Sequence, residues 1–398
     1  MKKVYYAEAI YGKEEIDAVN KVLENNLTLM DGPLVKTFEK QVASVFGKKY
    51  GVMVNSGSSA NLLALSALKL PKGGEVITPA LTFTTVVAPL YQLGLVPHFV
   101  DVEPHSFNTS VEKIEKAINK NTVALMIPNL LGNLPDWKPI YELAKKHDLK
   151  VIEDSCDVIG YTYEGGTTGE YNDIVCTSFY ASHIITAAGQ GGMVCTNDEE
   201  LYNQVKLLRG WGRSSARFNE SEEIEKRFSA RVDGIDYDSK FIFEECGYNF
   251  IPSEIAAAFG IEQLKKLPEF RSNRNWAFNK MRHVFNYNFV DPVAQLPHVQ
   301  TPWLSFPIVL NQESPFTRRE MQIFFEENNI QVRTIFSGNI TRQPMLKNRE
   351  WKGVDYFPNA DHVMKNGMLI GAHHGITNDD IQHVHETMNK FLTGRRRG

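Results

Sequence analysis

Between residues 50 and 196 the chain repeats one pattern: a strand-length apolar run, a turn or cap residue, then a segment whose apolar residues recur at helical spacing. The apolar runs are Tyr50–Asn55, Glu75–Pro79, Pro97–Val102, Thr122–Pro128, Lys150–Asp154, Ile174–Phe179 and Met193–Thr196. Helical spacing is read over Ser59–Leu70, Thr84–Gly94, Pro135–His147 and Glu199–Arg209. Strands that alternate with helices are joined by crossovers, which make neighbours parallel, so the pattern predicts a layered α/β sheet. Beyond Pro252 the rhythm changes. Helical stretches at Ser253–Lys266 and Arg271–Phe285 lead to a strand-like Trp303–Leu310, a helix near Thr317–Asn328, a short strand at Ile330–Phe336 and a closing helix at Asn378–Phe391. At 398 residues the chain is long for one core, which predicts a large α/β domain over residues 1–260 and a smaller α+β domain over 261–398. The charged, poorly periodic stretch Ser214–Ser239 reads as a surface loop or a flap over a site.

Charge excludes some partners. Forty-three Lys and Arg against 47 Asp and Glu leave a net charge of −4, which gives no global reason to bind nucleic acid or an anionic membrane. The basic run Arg395, Arg396 and Arg397 reads as a solvated tail. Neither an apolar leader follows Met1 nor does any window approach the ~18 apolar residues that span a bilayer, so a cytoplasmic protein is expected. The four cysteines, Cys156, Cys176, Cys195 and Cys246, are too scattered for a disulfide framework or a zinc site, and read as reduced thiols in or near the core. No metal site is predicted.

In α/β sheets ligands sit beyond the carboxyl ends of the strands, and four places there carry chemistry. Asn55-Ser56-Gly57-Ser58-Ser59 leads into an apolar helix; its amides and hydroxyls suit a phosphate, and equally an ordinary helix cap. Phe83 closes the second run, as a stacking surface for a flat ring or as a buried staple. Glu153, Asp154 and Asp157 end the fifth, where a carboxylate could hold a protonated ring nitrogen, a metal or only water. Thr177-Ser178-Phe179-Tyr180-Ala181-Ser182-His183 ends the sixth and returns through Gly189 to Gly192, glycines that let backbone pass close to a ligand.

As a set these segments, with Gly247-Tyr248-Asn249 and Gly260-Ile261-Glu262-Gln263-Leu264, resemble the DegT/DnrJ/EryC1 family of sugar aminotransferases over nearly the whole chain. The resemblance implies a fold-type-I aminotransferase architecture, with a mixed, mostly parallel seven-stranded sheet and a smaller C-terminal α+β domain. It also implies a homodimer with shared active sites. By the same resemblance Gly57, Ser58 and Ser178 hold the phosphate of pyridoxal 5′-phosphate or pyridoxamine 5′-phosphate, Phe83 stacks on its ring, Asp154 pairs with the ring nitrogen, Asp157 faces the ring's 3-hydroxyl, and Asn249 reaches the phosphate from the neighbouring subunit.

Position 183 departs from the family's aminotransferases, which place there the lysine that binds the cofactor covalently. Histidine cannot form that bond but can move a proton near neutral pH. The chain is most similar to the family's subgroup with this histidine, the 3-dehydratases of GDP- and CDP-linked 4-keto-6-deoxyhexoses. That likeness implies a non-covalent cofactor, a nucleotide-sugar substrate in dideoxysugar synthesis for surface polysaccharide, and His183 as base and then acid while the C3 hydroxyl leaves as water. After Trp211-Gly212-Arg213 the iron–sulfur cysteines of the CDP-sugar enzymes are missing, so no cluster is expected. Glutamate is the candidate amino donor, although Ile251 stands where the family has its glutamate-binding arginine. Two rival readings stay open: an aminotransferase whose lysine is replaced, and an inactive sugar-nucleotide sensor.

Overall fold

Runs such as Glu75–Pro79 and Ile174–Ser178 are buried along their whole length because the sheet is covered on both faces. The computed structural model describes residues 3–25, 28–218 and 223–395. Its main sheet orders the strands Tyr50–Val54, Gly192–Thr196, Ile174–Ser178, Lys150–Ser155, Thr122–Pro128, Glu75–Pro79 and Val96–Val100, with the short Lys352–Gly353 completing eight at the far edge. Gly192–Thr196 runs antiparallel to both neighbours and the remaining pairs are parallel. All seven expected strands are present, within two residues at each end.

Side-chain alternation splits the core into two layers. Val52, Val54, Met126 and Ile152 pack on one face, in a cluster that continues into the C-terminal part as far as Phe391. Met53, Leu125, Ile127 and Val151 pack on the other with the helices Pro33–Val45 and Trp137–Lys146. A three-stranded antiparallel sheet, Phe306–Val309, Gly367–Ile370 and Arg333–Thr334, lies in the C-terminal part. Val4 bridges to Ile330, which carries the N-terminal segment across to that sheet.

Two expectations are corrected. Cys246 is exposed rather than in or near the core, because its segment, Glu244-Glu245-Cys246, is an irregular charged stretch with no apolar face. The stretch Ser214–Ser239 is not a plain loop: it holds a helix at Ile224–Phe228 and a hairpin pairing Ala230–Val232 with Ile235–Tyr237. Asp233 and Gly234 supply the two positive φ angles, 50° and 82°, that such a tight turn needs. Residues 219–222 and the basic tail's 396 and 397 lie outside the described residues. Among the described residues no helix is long and apolar enough to cross a membrane.

Candidate active site

The carboxyl ends of the central strands open into a cavity of about 810 Å³, a size suited to a cofactor with part of a substrate. Gly57, Ser58, Phe83, Asp154, Asp157, Ser178 and His183 all line it. Asn249 does not; it is exposed on the outside of the same chain.

Gly57 begins the helix Gly57–Ala67, capped by Ser56, whose hydroxyl accepts from the Ser59 amide. A Cβ on Gly57 would stand 2.5 Å from Ser178 Cβ and 2.8 Å from Cys156 Sγ, so only glycine lets the helix start this close to Ser178. From the other side, a Cβ on Gly192 would meet Ser56 O at 2.3 Å. Free amides, two serine hydroxyls and a positive helix end therefore converge on one point, which suits a phosphate.

Asp154 follows Ile152 on the same strand face and is buried. Its Oδ1 accepts from the Cys156 amide at 2.9 Å and its Oδ2 from Asn61 Nδ2 at 2.8 Å. Burial raises its pKa while these donors oppose the rise. A fixed carboxylate behind the cavity wall is what a protonated ring nitrogen would pair with. Asp157 is held by a single amide, Leu131 N–H at 2.9 Å, and burial followed by the Asp154 charge pushes its pKa to about 8. Phe83 proves to be no buried staple: it is 48% exposed, lines the cavity and packs T-shaped against Phe336.

His183 sits in the return from Ile174–Ser178 to Gly192–Thr196, and its own amide donates to Tyr180 O at 2.9 Å. Its Nδ1 lies 3.4 Å from Ser178 O. A carbonyl can only accept, so Nδ1 carries the hydrogen and Nε2 keeps a free lone pair. Burial, and then the Arg274 charge, lower its pKa to about 4 against the contrary pull of Ser178 O. The imidazole is thus neutral and ready to take a proton. No lysine lines the cavity among the described residues.

Sequence reasoning missed the far wall. Tyr6, Arg333, Ser337 and Gln343 complete the cavity from the chain's ends, and Ser337 Oγ donates to Thr82 O. Tyr6 and Arg333 carry no local motif, and the Val4–Ile330 and Leu81–Asn339 bridges bring these segments over the strand ends. Among the described residues no group of His, Cys, Asp or Glu is disposed to hold a metal ion.

A mostly parallel sheet that carries a helix-terminus anion cradle and a buried strand-end carboxylate around one cavity defines the fold-type-I pyridoxal-phosphate enzymes. Within that class the chain belongs to the DegT/DnrJ/EryC1/StrS aminotransferase family, whose model matches residues 9–389. It is 36% identical to a dTDP-4-dehydro-2,6-dideoxy-D-glucose 3-dehydratase from Saccharopolyspora spinosa, over 95% of this chain and 84% of that one. It is 34% identical to a GDP-4-keto-6-deoxy-D-mannose 3-dehydratase from Yersinia pseudotuberculosis, over 96% and 98%. Among solved structures, GDP-4-keto-6-deoxymannose-3-dehydratase superposes with a TM-score of 0.86 at 30% identity, both as a histidine-to-asparagine mutant with bound GDP-perosamine, covering 97% of this chain and 100% of that one, and with a trapped PLP–glutamate geminal diamine, covering 96% and 99%. The family and fold expected from the sequence are borne out.

Proposed function

We propose that the chain is a pyridoxamine-phosphate-dependent 3-dehydratase of a nucleotide-linked 4-keto-6-deoxyhexose. The observation that carries this reading is His183 in the wall of the cofactor cavity, a neutral base with Nε2 free, in a cavity that no lysine lines among the described residues. When bound, the cofactor supplies an amine that condenses with the sugar's C4 ketone and a ring that takes up an electron pair. The protein does the rest. Gly57, Ser58 and Ser178 hold the phosphate, the Phe83 face supports the ring, and Asp154 keeps the ring nitrogen protonated. Asp157, with its pKa near 8, is a neutral acid that donates toward the ring's 3-oxygen. His183 Nε2 takes a proton from the C4′ carbon and delivers it to the departing C3 hydroxyl, which leaves as water.

The amino donor in this reading is glutamate, and Arg333 is the cation that lines the cavity to receive its carboxylate. Asn249, exposed and outside its own cavity, reaches the phosphate of a second copy in a homodimer. The large domain ends near Gly260, where the helix Glu254–Lys265 leads toward the C-terminal part.

The test is a panel of GDP-, CDP- and dTDP-linked 4-keto-6-deoxyhexoses with pyridoxamine phosphate, with and without glutamate, read by mass spectrometry. One nucleotide is expected to yield the 3-deoxy product, turning over repeatedly only with glutamate. His183→Asn should abolish dehydration while cofactor absorbance stays with the protein, and borohydride should fix no cofactor to the parent chain. An amino sugar as product, or a sugar nucleotide that binds and never changes, would sink the dehydratase reading.

A further inference from the structure

Arg274, midway along the helix Leu267–Val284, has no exposed surface, yet no carboxylate among the described residues pairs with it. An arginine so far from water ordinarily has an acidic partner, because an unpaired buried charge is costly. Here the fork is spent on neutral acceptors. Nη1 donates to the carbonyls of Trp303 at 3.3 Å and Leu304 at 3.0 Å, Nε donates to His374 Nδ1 at 3.2 Å, and Nη2 to the carbonyl of His183 at 3.4 Å. His374 stacks on Phe270, with ring centres 3.8 Å apart, and burial keeps it neutral. Since Leu304 and His183 both line the cavity, the guanidinium stands one peptide behind its wall.

We propose that Arg274 is a positioning residue for His183: its guanidinium pins the His183 peptide and sets an unpaired positive charge behind the imidazole. This rests on His183 being the base. Such a base must also return its proton to the leaving group, and a charge that disfavours the imidazolium makes that return fast. Tyr180 on its own loop packs its ring against the imidazole, His374 shares the Arg274 guanidinium, and the other ionisable groups that line the same cavity are Tyr6 from the N-terminal segment, Asp154, Cys156 and Asp157 from the strand end, and Arg333 from the C-terminal sheet. Tyr180 holds the His183 amide through its backbone carbonyl, and the cation whose side chain holds the His183 carbonyl is Arg274.

Arg274→Gln removes the charge, and Arg274→Lys keeps it while losing the fork. The first readout is the titration of His183 by NMR in cofactor-free, histidine-labelled protein, with His183→Asn identifying the resonance. Arg274→Gln should raise the midpoint by about half to one pH unit, and an opposite or absent shift in the folded variant would overturn the proposal. Arg274→Lys should leave the midpoint near the parent value and lower kcat by roughly 10- to 100-fold with little change in KM, because the loop is no longer held in register. Parental kcat in Arg274→Lys overturns the proposal even if Arg274→Gln fails to fold. Turnover retained by His183→Asn would sink the base assignment alone, and the titration shift would still report on Arg274.

Discussion

Asp154 and Asp157 stand three residues apart at one cavity wall, and their hydrogen bonds decide which of them carries the negative charge. Asp154 has a donor on each oxygen, whereas Asp157 has one amide and feels the charge of Asp154. With its pKa near 8, Asp157 is therefore the one that keeps its proton near neutral pH. Asp154→Asn should lose roughly 10²- to 10⁴-fold in kcat, since an amide cannot hold a proton on the ring nitrogen, while Asp157→Asn, still a donor, should stay within about threefold. Linkage gives a second readout. A carboxyl raised from 3.8 to about 8 in the folded chain binds more protons folded than unfolded across that window, so stability falls as pH rises through it. Cofactor-free Asp157→Asn should hold its melting temperature more evenly from pH 5 to 8 than the parent; equal slopes would deny that Asp157 is the protonated member. These acids, like Ser178 and His183, were legible because a strand end announces itself in sequence. Tyr6 and Arg333 were not, because the pairing of Val4 with Ile330 places them and no local pattern encodes it.

At the scale of elements, Glu254 ties the site loop to the N-terminal helices. It is fully buried at the start of the helix Glu254–Lys265, and its carboxylate accepts from the amides of Gly32 at 2.9 Å, Leu34 at 3.0 Å and Val35 at 2.8 Å. One helix's first residue thus caps another, Pro33–Val45, across more than two hundred positions. The segment just before it, which carries Asn249, is held by Asp31 N–H to Pro252 O and by Asn55 N–H to Phe250 O. Glu254→Ala leaves three buried amides without acceptors and should cost roughly 2–4 kcal/mol, lowering the melting midpoint by several degrees, with Glu254→Gln nearer the parent. A melting point unchanged by the alanine would show that water replaces the cap. The helices Lys13–Glu24 and Pro33–Val45 escaped the sequence reading for a related reason. Both are amphipathic, but the first buries little besides Glu15 and Val22, and the second takes its cap from the distant Glu254 rather than from a residue at its own start. The strands were readable because burial on both faces keeps them mostly apolar.

At the scale of the whole molecule, one surface stays unsatisfied. Phe228, Tyr237, Phe241 and Phe243 are each half exposed or more, together with Ile224 and Ile235, all on the one segment 224–243. The Arg213 guanidinium lies 4.2 Å from the Trp211 ring centre and about 6 Å from those of Phe241 and Phe243. Arg213 bridges to Phe243 and Gly210 to Asn249, so the two strand-like bridges join both segments to the turn at Trp211. In the homodimer proposed above, a second copy receives Asn249 at its own phosphate cradle. That arrangement separates two losses of function. His183→Asn spoils the cavity of its own chain, and Asn249→Ala spoils the cavity of its partner. Each variant alone should be inactive or nearly so. Mixed at equal amounts and allowed to exchange subunits, half of the dimers pair one variant with the other, and each such dimer regains one intact site of two, for about a quarter of parental activity. Asn249 acting within its own chain predicts no recovery on mixing. A monomer by sedimentation at assay concentration removes the premise, and Phe243→Glu should produce such a monomer with its activity lost.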